Sequence, residues 1–167
     1  ELIQATYRHE KTERPPWVPY AGIHAAKFKG YTATEILKDA DKLVECLMEV
    51  HRLYRPDGQP IAFDLQLEAE ILGCELIWAD DNPLENTEEI PDKVVGPNEG
   101  RIPVVMEAAR RMYKAVGDET ALYGLFCGPF TLASHLRGTK LFMDMKKNPE
   151  QVKKLMAFCV KQGKAMI

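Results

Sequence analysis

Apolar residues return at helical spacing along some stretches of the chain and run together in others. Between residues 41 and 54, Leu43, Cys46, Leu47, Val50 and Tyr54 lie three or four apart, which places them on one face of a helix. Residues 102–116 repeat the pattern with Val105, Ala108, Ala109 and Met112. Thr32-Ala33-Thr34-Glu35 has the form of a capping box, with Thr32 accepting from a free N–H and Glu35 reaching back. Shorter helices are expected over 65–72, closed by Gly73, and over 131–137, directly after Gly128-Pro129-Phe130. Asn148-Pro149-Glu150 starts a last helix, with Asn148 as its cap.

Three apolar runs read as strands: Pro60-Ile61-Ala62-Phe63-Asp64, residues 74–79, and residues 120–127. The last is continuous, as in a strand covered on both faces of a parallel sheet. Arg14-Pro15-Pro16 rules out a helix at that point, and residues 17–21 follow as an extended segment that Gly22 ends. Arg55-Pro56-Asp57-Gly58 reads as a turn in which Gly58 supplies a positive φ. Residues 80–100 are acidic and rich in proline and asparagine, and read as a long surface loop.

Strands alternating with helices point to an α/β fold with a parallel sheet. So few strands would leave open sheet edges. A second half is therefore expected beyond this chain, which has no initiator methionine and reaches Ile167 inside a helical pattern. Residues 1–13 are expected as an extension outside the core, and residues 14–167 as the first half of the domain. On its own, such a piece is expected to aggregate or form a homodimer through its unpaired edges.

Composition narrows the classes. The chain is 46% apolar and 28% charged with a net charge of -3, ordinary for a globular protein and without the basic excess of a nucleic-acid binder. No apolar run reaches the roughly 18 residues that signal a membrane span, and no export leader opens the sequence. Cys46, Cys74, Cys127 and Cys159 are far apart in apolar surroundings. Free buried thiols in a reducing cytoplasm are expected.

In parallel α/β folds, reacting groups collect at the C-terminal ends of strands. Asp64 stands at such an end, where a carboxylate is costly unless it binds something. A ligand's N–H groups or a cationic intermediate would satisfy it; so would the helix starting at Leu65, with Asp64 as its cap. His24 can be an acid, a base or a ligand, or a polar residue opening a helix. His135 has the same two readings on the helix after Gly128-Pro129. His9 and His51 lie in polar surroundings and carry no assigned role. No zinc-type spacing of His and Cys occurs, so no metal is assigned to this chain. Glu68 and Glu70 are expected on opposite sides of their helix and are not read as an acid–base pair.

Several blocks together resemble the uroporphyrinogen decarboxylase superfamily. Ile61-Ala62-Phe63-Asp64 running to Gly73 resembles the family's second-strand motif, with Asp64 on its key aspartate, nine residues before the glycine. Gly124-Leu125-Phe126-Cys127-Gly128-Pro129-Phe130-Thr131-Leu132 resembles its glycine-proline-threonine-leucine segment, and Arg14-Pro15-Pro16-Trp17 with Ala21-Gly22 its N-terminal motif. The resemblance covers residues 14–167 and implies the N-terminal half of a (β/α)8 TIM barrel with a cleft at the strand ends. It also implies that Asp64 is the catalytic carboxylate, and that Tyr20, His24, Phe130 and His135 contact substrate.

In the decarboxylases of porphyrin biosynthesis, which are lyases, the aspartate hydrogen-bonds pyrrole N–H groups and stabilises the charge of a protonated pyrrole. Two arginines after the tryptophan bind the substrate's carboxylates. Here that stretch is Val18-Pro19-Tyr20-Ala21-Gly22-Ile23-His24, without arginine. Methyltransferases of the same superfamily, which move a methyl group from a corrinoid to a thiol, lack those arginines too. The resemblance is closer to this branch. It implies a corrinoid methyl donor, a corrinoid protein as partner, and a thiol-activating zinc whose ligands belong to the barrel's second half. A tetrapyrrole decarboxylase and a non-catalytic tetrapyrrole- or corrinoid-binding module remain as alternatives.

Overall fold

The structure is a computed structural model, and it describes residues 1–78, 84–86, 91 and 93–166. The chain divides into two compact units, one of residues 1–63 with 104–125, the other of residues 64–103 with 126–167.

The first unit opens with helix α1, Leu2–Tyr7, which buries none of its residues. No strand forms over residues 17–21; Gly22 starts a 3₁₀-helix, Gly22–Phe28, instead of ending an extended segment. Helix α2, Ala33–Lys38, carries the expected capping box at Thr32 and Glu35. Helix α3, Ala40–Tyr54, is capped by Asp39, whose carboxylate accepts from the Asp41 and Lys42 N–H groups. Its apolar stripe is buried at Leu43, Val44, Cys46, Leu47 and Val50, while Tyr54 stays exposed.

The turn after α3 differs from expectation. Arg55, not Gly58, takes the left-handed conformation, at φ 42°. Gly58 begins strand β1, Gly58–Pro60. A side chain there would sit 2.9 Å from Ile3 Cδ1 and 3.1 Å from Val18 Cγ2. Close packing therefore explains this glycine, and backbone freedom does not.

Strand β1 also lies earlier than Pro60-to-Asp64. It pairs in parallel with β4, Ala121–Tyr123, in the register Gly58↔Ala121 and Pro60↔Tyr123, and the Ile61 N–H extends the ladder to the Tyr123 carbonyl. Residues 124–127 are not strand. Helix α5, Ile102–Val116, has the expected bounds. Its Ala108, Met112 and Val116 share a core with Leu43, Val44 and Leu47 of α3 and with Ile61.

The second unit holds α4, Leu67–Ile71; β2, Glu75–Ile77; β3, Leu84–Asn86; α6, Pro129–Arg137; α7, Lys140–Lys147; and α8, Pro149–Ala165. Strand β3 interrupts the stretch expected as loop, and it pairs antiparallel with β2. Residues 79–83, 87–90 and 92 of that stretch, including Ala79 of the expected second strand, lie outside the described residues. Neither α7 nor β3 was foreseen. Asn148 makes no side-chain cap; its amide donates instead to Asp144. The core joins Ala69, Cys74, Cys127, Leu132, Leu136, Leu141, Leu155 and Cys159.

All four cysteines are buried thiols outside any disulfide. Burial pushes the Cys46 and Cys159 thiols up to about 11, which keeps them neutral. No helix among the described residues is long and apolar enough to cross a membrane.

Candidate functional site

Asp64 is the centre of the second unit's polar structure. It is 8% exposed, three residues before α4. Its Oδ1 accepts from the Gln66 N–H at 3.0 Å, and its Oδ2 accepts from Arg101 Nη1 at 2.7 Å. Arg101 is itself 8% exposed, and its Nε donates to Glu70 at 2.7 Å. The guanidinium also lies 4.8 Å from the centre of the Trp78 ring. One buried arginine thus spans two carboxylates and an aromatic face, the geometry for which its planar fork is suited. Neither cap nor ligand alone describes Asp64, because an internal ion pair takes one of its oxygens.

Two local features deliver Arg101. Gly100 has φ 54°, and a Cβ there would lie 2.6 Å from Ile71 Cγ2, so only glycine lets this backbone close on α4. Upstream, Val95 exchanges two hydrogen bonds of 2.9 Å with the buried Gln162 amide of α8. Sequence reasoning missed Arg101. The available signal was a single arginine after a glycine, at the end of an acidic stretch and the start of an amphipathic helix.

Glu68 was set aside from the sequence and is 3% exposed. Its Oε1 accepts from the Cys127 N–H at 2.8 Å. Burial raises its pKa above the ordinary carboxylate value; the Asp64 charge adds to this, while the Cys127 N–H and His135 act against it. Asp64 and His135 are therefore both near Glu68. Glu70 takes the other side, on Arg101, so the expected divergence of the two glutamates is what the structure shows.

The remaining candidates are more exposed. Phe130, on α6, is 47% exposed and meets Phe142 edge to face at 6.4 Å. His135 is partly buried on the same helix. In the first unit, Tyr20 is 60% exposed and packs edge to face on Phe63 at 5.4 Å, with Tyr123 at 6.2 Å. Burial raises the pKa of the Tyr123 hydroxyl, with Tyr20 adding to the effect. His24 lies in the 3₁₀-helix, and its ring meets Phe28 at 5.5 Å rather than Tyr20. Among the described residues, no group of three or more His, Cys, Asp or Glu is placed to hold a metal ion, so these residues do not fit a zinc site.

A family profile described as uroporphyrinogen decarboxylase (URO-D) matches residues 1–166. The chain belongs to the uroporphyrinogen decarboxylase family. Within this family, a methylcobamide:CoM methyltransferase of Methanosarcina acetivorans is 27% identical, over 100% of this chain and 54% of that protein. A uroporphyrinogen decarboxylase of Carboxydothermus hydrogenoformans is 25% identical, over 87% of this chain and 46% of that protein. A solved methyltransferase structure from Methanosarcina mazei superposes with a TM-score of 0.82 at 20% identity, covering 96% of this chain and 51% of that one. That likeness establishes the α/β fold as half of a chain of this family type. The chain spans about half the length of the curated relatives it matches.

Proposed function

We propose that the full-length protein transfers a methyl group from a corrinoid to a thiol. The observation that carries this reading is the state of Asp64. In a decarboxylase, the equivalent carboxylate must offer its charge to pyrrole N–H groups. Here it is buried, and Arg101 already sits on one oxygen at 2.7 Å. An ion pair of this kind has little net charge left to stabilise a pyrrolic cation. The segment Val18–His24, without arginine, also lacks partners for a substrate with many carboxylates.

A bound corrinoid supplies an electrophilic methyl group, and the thiol supplies the sulfur nucleophile and loses its proton. The chain's own residues bind and orient. Each unit by itself offers an exposed aromatic pair against which a flat macrocycle can pack, Tyr20 with Phe63 in the first and Phe130 with Phe142 in the second. Asp64 keeps the role of reacting-site carboxylate with Arg101 as its resident counterion, and His24 and His135 are the polar substrate contacts. The thiol-activating zinc belongs, on this reading, to the part of the relatives' length that this chain does not span. A corrinoid protein is the proposed partner, a homodimer the proposed assembly, and the reducing cytoplasm the proposed compartment, the last supported by the four buried thiols.

The test incubates the full-length protein with methylcobalamin and a thiol, following loss of the methyl–cobalt absorbance and appearance of the thioether. A parallel incubation with uroporphyrinogen measures carbon dioxide release. Thioether formation without decarboxylation is expected. Decarboxylation without methyl transfer makes the chain a tetrapyrrole carboxy-lyase; binding of either compound without turnover makes it a binding module.

A further inference from the structure

Helix α4 and the residues just before it hold the turn that leads into α6 at two points. Glu68 Oε1 accepts the Cys127 N–H at 2.8 Å, and Cys127 Sγ donates to the Leu65 carbonyl at 2.7 Å. Cys127 is 7% exposed and directly precedes Gly128, the residue before α6. That helix carries Phe130 and His135. Glu68 Oε2 is buried and, among the described residues, has no hydrogen-bond partner. A buried polar atom left this way is expensive, and the fold keeps it beside two site candidates.

We propose that Glu68 is a positioning residue for this site, holding the turn into α6 through Cys127 and thereby setting where Phe130 and His135 face. The inference rests on the reading of those two residues as substrate contacts. Burial and the neighbouring Asp64 charge disfavour the ionised form of Glu68, against which the Cys127 N–H and His135 act. Arg101 pairs with Asp64 and with Glu70.

Three forms of the full-length protein test this: wild type, Glu68→Gln and Glu68→Ala. Glutamine keeps the acceptor for Cys127 and cannot ionise. Hydrogen exchange across residues 127–135 is expected to match wild type in Glu68→Gln and to quicken about tenfold in Glu68→Ala. In methyl transfer, Glu68→Ala raises KM more than it lowers kcat. Glu68→Gln is expected to keep both constants near wild type, because its amide oxygen still accepts the Cys127 N–H. Unchanged exchange in Glu68→Ala, exchange in Glu68→Gln as fast as in Glu68→Ala, or a Glu68→Ala loss carried by kcat alone each overturn the proposal. Exchange needs no turnover, so an inactive wild type refutes the methyl-transfer reading and leaves the exchange result standing.

Discussion

Replacing Arg101 with methionine isolates the polar centre of the second unit. Methionine preserves much of the side chain's length and its packing on Trp78, but removes the cation. The Asp64 side chain is 4% exposed and loses the cation that sits 2.7 Å from its Oδ2, while Glu70, 26% exposed, keeps access to water. Removing one member of a buried ion pair leaves an uncompensated charge and typically costs about 3–5 kcal/mol. Glu70 adds little, because its charge stays solvated. Arg101→Met is therefore expected to lose about 3–5 kcal/mol, nearly all of it through Asp64. Asp64→Asn, which leaves Arg101 bonded to Glu70, is expected to lose about 1–3 kcal/mol. The double variant tests the cause: with no carboxylate at 64, removal of Arg101 should cost markedly less than in wild type, giving a coupling of about 1.5 kcal/mol or more. Urea unfolding of the four full-length proteins at neutral pH measures the cycle. Costs that simply add, or an Arg101→Met loss below about 1 kcal/mol, refute the idea that this arginine exists to balance Asp64.

Turnover and acid stability give two further expectations. Asp64→Asn, which leaves the Arg101 charge without its Asp64 counterion at the reacting site, should lower methyl transfer by a factor on the order of 10²; stability loss with unchanged turnover assigns Asp64 to scaffolding alone. In the first unit, Arg14 donates to both Asp57 oxygens at 2.6 and 2.8 Å, the Trp17 N–H donates at 2.8 Å, and together they hold the Asp57 carboxyl down to about 2. A folded value below the ordinary one stabilises the protein above the ordinary carboxylate range, and this is lost as pH falls from about 4 through about 2. Arg14→Met should flatten that acid limb in a series of urea midpoints, and an unaltered slope would count against the pairing.

Much of this protein was legible without coordinates wherever local physics decides. The stripe on α3, the capping box at Thr32 and Glu35, and the bounds of α5 follow from side-chain periodicity and nearby hydrogen bonds, which depend on residues within one or two turns. The burial of Asp64 and of the four cysteines was also readable, because each sits in an apolar run. Strand limits were not. Pairing, rather than hydrophobicity, chooses which residues of an apolar run are strand, so β1 stops at Pro60 where β4 stops at Tyr123.

The partners of the polar residues were equally out of reach. Arg101 meets Asp64 across 37 positions, and Glu68 meets Cys127 across 59. No periodicity encodes such separations. The sequence could say that a carboxylate at residue 64 needs a partner, because burying a charge is costly whatever surrounds it. Only the tertiary structure could say that the partner is an arginine of this same chain, because that depends on which loop the packed core brings to the end of α4.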